Sequence, residues 1–136
     1  MAAAAKPLQS TGLYQRYQQE VENYKALKLQ NAQKMEKRTR LDTTKNENLL
    51  LLNELKLLDD DTVLYKKSGP IIVKVEVEEA KTDVQAKMNI IADQIKQIDT
   101  QIKNIQNKTQ DKESKIGEMQ KKLQAQIALT QQMQPK

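Results

Sequence analysis

The chain has 136 residues and a net charge of +5, and its only aromatic residues are four tyrosines, because Phe and Trp are absent. Cys and His are also absent. This composition excludes a large aromatic core, catalysis by a thiol or an imidazole, and the usual zinc and haem sites. The length leaves room for one domain or one extended element.

Two features of the sequence bear on its location. No stretch approaches the roughly 20 apolar residues that a membrane span requires, and the first six residues lack the pattern of a signal peptide. We therefore expect a soluble, cytoplasmic protein that makes no membrane contact. The basic residues are mostly Lys and are spread along the chain, which is typical of a solvated coiled-coil surface rather than of a nucleic-acid interface.

The chain divides into five predicted segments. A flexible leader covers residues 1–11, a helix covers 12–58, a β-hairpin covers 59–76, a second helix covers 77–133, and a tail covers 134–136. Helical patterns of about 50 residues almost free of Gly and Pro indicate a coiled coil. The predicted fold is mainly α, a long antiparallel two-helix coiled coil whose helices are joined by a single hairpin.

The second helix carries the clearer seam. Apart from two successive steps of four near its start, its apolar positions alternate in steps of three and four, the heptad repeat of a left-handed supercoil. The predicted seam consists of Val77, Ala80, Val84, Met88, Ile91, Ile95, Ile98, Ile102, Ile105, Thr109, Lys112, Ile116, Met119 and Leu123.

The first helix has a weaker pattern, with polar residues in its middle. Its predicted seam consists of Tyr14, Tyr17, Val21, Tyr24, Lys28, Asn31, Met35, Arg38, Asp42, Lys45, Leu49 and Leu52. Leu27, Leu29 and Leu41 lie off this phase. We expect the Ile-rich second helix to hold this middle region in place.

The segment between the helices predicts a hairpin. Three aspartates, 59–61, end the first helix, because Asp is a poor helix former and negative charge is unfavourable at a helix C-terminus. Strands are predicted at residues 62–66 and 71–75, with a turn at 67–70. A hairpin returns the second helix antiparallel to the first, which places Leu52 near Asp83 and Tyr17 near Glu118.

Both faces of the predicted hairpin are partly apolar. One face is expected to carry Val63, Tyr65, Ile71, Val73 and Val75, and the other is expected to carry Leu64 and Ile72. An isolated two-stranded hairpin is marginally stable, and open apolar edges invite aggregation. We therefore predict that these seven residues mediate oligomerisation by joining a sheet or barrel built from several chains.

The far end of the coiled coil is a second predicted binding surface. Its apolar residues come from both ends of the chain: Leu8, Leu13, Tyr14, Tyr17, Met119, Leu123, Ile127, Leu129 and Met133. Methionine is common on surfaces that bind varied partners. The competing interpretation is that these side chains close the end of the coiled coil, and it fits best for Tyr14, Tyr17, Met119 and Leu123.

No constellation for catalysis or cofactor binding is found. Residues 59–61 lack the spaced oxygens and closing Glu of a calcium loop. Ser68, Gly69 and Pro70 form too short a segment for a phosphate loop. We expect no catalytic residues, no metal and no cofactor, and hence no enzyme.

Residues 57–74 resemble the hairpin signature of β-class prefoldin subunits. The shared features are a run of Leu and Asp, a strand Val63-Leu64-Tyr65-Lys66, and the segment Gly69-Pro70-Ile71-Ile72-Val73-Lys74, followed by Glu78-Glu79-Ala80-Lys81. A single hairpin fits the β class, since α-class subunits carry two. Elsewhere the similarity rests on helix length and heptad character.

The resemblance implies a heterohexamer of two α-class and four β-class chains, with a β-barrel of hairpins from which six coiled coils project. It implies an ATP-independent holdase whose coiled-coil tips bind unfolded clients such as actin and tubulin and pass them to the cytosolic chaperonin. The nine tip residues would then contact clients. Two other functions remain open from the residues alone, a structural or tethering coiled coil and a basic helical arm that binds nucleic acid.

Overall fold

The computed structural model describes residues 12–133, apart from the side chain of Met133. It contains α1 (Gly12–Lys56), β1 (Leu64–Ser68), β2 (Ile71–Val75) and α2 (Val77–Met133). The predicted fold class, two long helices with one hairpin between them, is confirmed. The predicted leader and tail, with Leu8, lie outside the described residues. Within the described range, no helix combines the length and apolarity that a membrane crossing needs.

The seam predicted for α2 is confirmed by the pattern of burial. Each of the fourteen predicted positions is buried or half-buried, whereas Ile90, which lies off the seam, is exposed. Val77 and Ile98 are the most deeply buried side chains, and Leu123 is only 6% exposed. Beyond Leu123 the seam ends, and Leu129 is 58% exposed.

The seam predicted for α1 is partly wrong. The covered positions run in steps of three and four through Tyr17, Glu20, Tyr24, Leu27, Asn31, Lys34, Arg38, Leu41, Lys45, Asn48, Leu52 and Leu55. Leu27 and Leu41 therefore lie on the seam. Tyr14 and Val21 are half-buried as predicted, but four predicted positions are exposed: Lys28, Met35, Asp42 and Leu49. The two candidate rows share every second position and differ little in apolar content, so the sequence of α1 alone does not choose between them.

The ends of the helices follow from local hydrogen bonding. After α1, the amide of Leu57 donates to the carbonyl of Glu54 at 3.1 Å, so the last turn tightens before the chain leaves the helix. At the start of α2, the carbonyl of Glu76 accepts the amide of Ala80 at 3.0 Å, which makes Glu76 the N-cap. Glu78 and Glu79 follow in the first turn, where negative charge is favourable.

The hairpin has a two-residue turn, and this corrects the predicted strand. Ser68 pairs with Ile71, so that only Gly69 and Pro70 form the turn, and β1 begins at Leu64 rather than at residue 62. Gly69 has a φ of 61°, and Pro cannot adopt a positive φ, which together indicate a type II′ turn.

This register also corrects the predicted hairpin faces. Leu64 lies opposite Val75 and therefore shares a face with Val73 and Ile71, not with Ile72. Tyr65 lies opposite Lys74 and shares its face with Ile72. The reason is that the length of the turn decides which residues oppose each other, and cross-strand partners point to the same face.

The chain forms two compact units. The hairpin unit comprises Lys34–Gln101, and the terminal unit comprises the parts of α1 up to Gln33 and of α2 from Ile102. The core of the hairpin unit contains Leu52, Leu55 and Val84. Leu58, Leu64, Ala80 and Met88 pack against this core. Leu64 thus ties the hairpin to the helices.

We expect Gly69→Ala to destabilise the hairpin by about 1 kcal/mol, because an L-residue is strained at this positive φ. No atom lies within 4 Å of the Cβ position, so the cost is one of backbone conformation rather than of a clash. Gly117→Ala is the matched control, since it also meets nothing within 4 Å but lies inside α2. It should stabilise the chain by about 0.5–1 kcal/mol. Thermal unfolding followed by circular dichroism checks both values, and equal effects would contradict the turn assignment.

We expect Leu123→Ala to destabilise the terminal unit by about 2–4 kcal/mol, because it removes a buried side chain and leaves a cavity. Leu129→Ala, on the same helix, should change the free energy of unfolding by less than about 0.5 kcal/mol because Leu129 is exposed. Urea unfolding measures the free energy of unfolding of each variant, and hydrogen exchange resolved along α2 shows where each one loses protection. Similar losses would show that the seam does not end at Leu123.

Candidate partner-binding surfaces

Five of the seven hairpin residues predicted to mediate oligomerisation have exposed side chains. Tyr65 and Ile72 share one face, and each is 68% exposed. Ile71 and Val73 on the other face are exposed, as is Val63, which lies just before β1. Leu64 and Val75 are half-buried at the base of the hairpin. Exposed aromatic and aliphatic residues on both faces of a two-stranded sheet form a surface suited to pairing with another chain.

A groove beside the hairpin extends this surface onto the helices. It encloses about 380 Å³, and its apolar lining comes from Leu51, Leu55, Leu64, Val75, Ala80 and Val84. Leu51 was absent from the predicted surface residues. The signal was the run Leu49–Leu52, because a seam uses only some of four consecutive leucines and leaves the others exposed. We name the exposed hairpin residues and this groove together the hairpin surface.

The terminal unit divides the predicted tip residues into two groups. Leu123 is buried, and Leu13, Tyr14, Tyr17 and Met119 are half-buried. Ile127 is 41% exposed and Leu129 is more exposed still. Leu8 and the side chain of Met133 lie outside what the structure describes. Ile127 and Leu129 are therefore the described tip residues that offer free apolar area, and we name them the apolar tip.

Polar side chains pair across the helices within the terminal unit. The amide of Gln120 donates to the Tyr17 hydroxyl at 3.1 Å, and the Tyr24 hydroxyl donates to Glu113 Oε1 at 2.7 Å. These contacts join α1 to α2 at positions whose numbers sum to 137. The predicted antiparallel alignment, with Tyr17 near Glu118, is therefore correct to within two residues.

Glu20 provides the most enclosed charge of the terminal unit. Its side chain is 15% exposed, and Lys112 Nζ lies 2.6 Å from Glu20 Oε2. Lys115 Nζ approaches the other carboxylate oxygen at 3.9 Å. Both Glu20 and Lys112 occupy seam positions, so each supplies the counter-charge that the other needs away from water.

Two further cations interact with specific partners. Lys28 Nζ lies 5.0 Å from the centre of the Tyr24 ring, and interaction with the Tyr24 hydroxyl raises the pKa of Lys28. In the hairpin unit, Arg38 donates to both carboxylate oxygens of Asp99, at 2.5 and 3.4 Å, which raises the pKa of Arg38. Bidentate pairs fix geometry as well as charge, so Arg38 and Asp99 help to set the alignment of the helices in that unit.

The described residues offer little to a metal ion. Between residues 12 and 133, no three Asp, Glu, His or Cys side chains lie close enough together to hold one. The geometry supports binding of macromolecules through apolar and charged surfaces.

The known proteins that this sequence resembles are prefoldin subunits. The sequence profile of the prefoldin subunit family matches residues 18–132. A probable prefoldin subunit 6 from Drosophila melanogaster is 36% identical over 87 residues, which are 64% of this chain and 70% of the relative. Prefoldin subunit 6 from Homo sapiens is 29% identical over 112 residues, which are 82% of this chain and 87% of the relative.

A solved structure supports the same fold. The crystal structure of the prefoldin beta subunit from Thermococcus strain KS-1 aligns with a TM-score of 0.70 and 21% identity, covering 74% of this chain and 89% of that chain. The resemblance of the hairpin to β-class prefoldins, and to eukaryotic subunit 6 in particular, is thereby confirmed. Since the family profile spans most of the sequence, this chain belongs to the prefoldin subunit family, which is a family of chaperones.

Proposed function

We propose that this chain is one subunit of a heterohexamer, with two α-class and further β-class prefoldin chains, that holds unfolded polypeptides without using ATP. Its clients would include actin and tubulin, which the complex would pass to the cytosolic chaperonin. The chain would act in the cytoplasm and would have no enzymatic activity of its own. The observation that carries this proposal is the exposure of apolar residues at two separate places, the hairpin surface and the apolar tip.

The hairpin surface supports assembly with sister subunits. Tyr65 and Ile72 expose most of their area on one face, and the opposite face continues into the apolar groove. Complete burial of one such side chain contributes about 1.5–3 kcal/mol. A closed barrel formed from several hairpins would bury both faces and remove the open edges at the same time.

The apolar tip supports weak binding of clients. Ile127 and Leu129 lie in a stretch between Lys122 and Lys136 that has no charged residue. Two partly exposed side chains give little affinity by themselves. Several such tips in one complex would raise the effective concentration for a single client, so that holding is firm while each contact remains reversible.

The first experiment is native mass spectrometry of the complex isolated gently from its own cells through a tagged copy of this chain. We expect one copy in an assembly of six small chains. A monomer, a homodimer or a complex with one large unrelated protein would overturn the heterohexamer and favour a tethering coiled coil.

Changes in the hairpin should abolish assembly. The test is the double variant Tyr65→Thr with Ile72→Thr. Thr is β-branched and favours strands, so the variant should keep the hairpin while losing the apolar side chains of this face. We expect this variant to retain its helix content and to be missing from the six-chain complex, because about 3 kcal/mol or more of burial is lost. The control is Leu29→Gln, which changes a residue that is 61% exposed on α1 in the terminal unit. Normal incorporation of the hairpin variant would refute this role.

Changes at the apolar tip should reduce holding without affecting assembly. For Ile127→Gln with Leu129→Gln, we expect the amount of complex that halves aggregation of a denatured client to rise about fivefold, since one of several weak contacts is lost. Gln preserves helix propensity. Light scattering during dilution of unfolded actin measures the effect, with Leu29→Gln again as the control. If the variant halves aggregation at the same amount of complex as the unchanged protein, client binding lies elsewhere.

A further inference from the structure

The net positive charge of the described chain is confined to the terminal unit. That unit contains nine Lys and Arg residues against five Asp and Glu residues, whereas the hairpin unit contains twelve against thirteen. Glu20, one of the five acids, is already paired with Lys112. The unit that carries the apolar tip is therefore also the basic one.

Three of these lysines lie in one row of α2. Lys108, Lys115 and Lys122 are seven residues apart and all are exposed, and the next position in the row is Leu129 of the apolar tip. A spacing of seven residues returns to nearly the same side of a helix after about 10.5 Å. The row thus presents three lysines at regular intervals, of which Lys115 also lies 3.9 Å from Glu20, and it ends on an exposed apolar side chain.

Two lysines of this row, Lys108 and Lys115, line an open groove between the helices of the terminal unit, and the row continues past the groove to Lys122 and Leu129. The groove encloses about 620 Å³, and Ala26 and Leu27 of α1 and Lys108 and Lys115 of α2 are among its lining residues. Asp111 and Glu118 also line it, but helical geometry places them on the next row, on the side of the lysines away from the α2 seam. An open groove that combines Ala26 and Leu27 with polar side chains and continues into a row of lysines suits an extended, acidic polypeptide.

The spacing defines the pattern of such a ligand. An extended chain in the polyproline II conformation has three residues per turn and rises about 3.1 Å per residue, so every third side chain lies on the same side at intervals of about 9 Å, close to the separation of successive lysines in the row. We propose that this groove, together with the row that continues to Lys122 and Leu129, binds extended segments of unfolded proteins in which an apolar residue is followed by acidic residues at every third position. The inference rests on the proposed holdase function and specifies the class of client segment that this subunit selects.

The test uses fluorescence polarisation with the assembled complex and three labelled peptides of equal length. One has an apolar residue followed by Glu at every third position, the second has the same composition with its Glu residues adjacent, and the third has Lys in place of Glu. We expect the spaced peptide to bind about tenfold more tightly than the Lys peptide, and more tightly than the clustered peptide. Its advantage should disappear in about 0.5 M salt, where charges are screened within a few ångströms.

The variant is Lys108→Glu with Lys122→Glu, and the control is Lys37→Glu with Lys96→Glu. All four lysines are exposed, and the control pair lies in the hairpin unit. The first variant should bind the spaced peptide about tenfold more weakly, and the control should bind it normally, with native mass spectrometry showing intact complexes for both. Equal effects of both variants, or equal binding of the spaced and Lys peptides, would overturn the inference.

Two outcomes separate this inference from its alternatives. If the peptides are not discriminated but the complex still suppresses client aggregation, the groove proposal fails and the holdase proposal stands. If suppression is also absent, the holdase proposal itself fails. Tighter binding of single-stranded RNA than of the spaced peptide, lost in the same lysine variant, would assign the basic row to nucleic acid instead and refute the acidic segment.

Discussion

The fold depends on covering the apolar row of α2. Without Phe or Trp, the chain has only four tyrosines as aromatic side chains, and five of the seven buried apolar residues in the described range belong to the α2 seam between Val77 and Leu123. The facing row of α1 contributes leucines near the hairpin but polar residues over its middle. Such a row is tolerated because Lys and Arg cover apolar surface with their aliphatic stems while their charged ends reach partners or water. Glu20 with Lys112 and Arg38 with Asp99 are pairs of this kind.

The hairpin differs from the seam, because no residue in the described range 12–133 covers its apolar side chains beyond the base. Its base is anchored by Leu64, which packs on the core of Leu52, Leu55 and Val84. Beyond that base, Tyr65 and Ile72 remain exposed on one face and Ile71 and Val73 on the other. An isolated two-stranded sheet is marginally stable, which is why we propose that other chains complete this one. Membership of the prefoldin subunit family is consistent with the proposed role of this surface in assembly.

In the terminal unit, α2 carries both buried seam residues and exposed apolar residues. The seam residues up to Leu123 are covered, and polar contacts at Tyr17 and Tyr24 fix the alignment of the helices there. Ile127 and Leu129 follow without cover, beside a row of lysines. The proposed holding surface needs a stable support and weakly binding side chains, and both would be available where the seam ends. In our proposal, the basic row would add a means of choosing among unfolded segments that apolar contacts alone do not distinguish.

The sequence by itself determined the two helices, the hairpin between them, the seam of α2 and the resemblance to β-class prefoldins. Each of these rests on a local pattern with one solution, such as the repeated isoleucines of α2 or the Gly69-Pro70 turn. Only the tertiary structure decided which row of α1 is covered, because its two candidate rows share alternate positions and differ little in apolar content. The faces of the hairpin likewise depended on the turn length, since a shift of pairing changes which side chains share a face. The division of the tip into buried Leu123 and exposed Leu129 also required the structure, because burial depends on where α1 provides a partner.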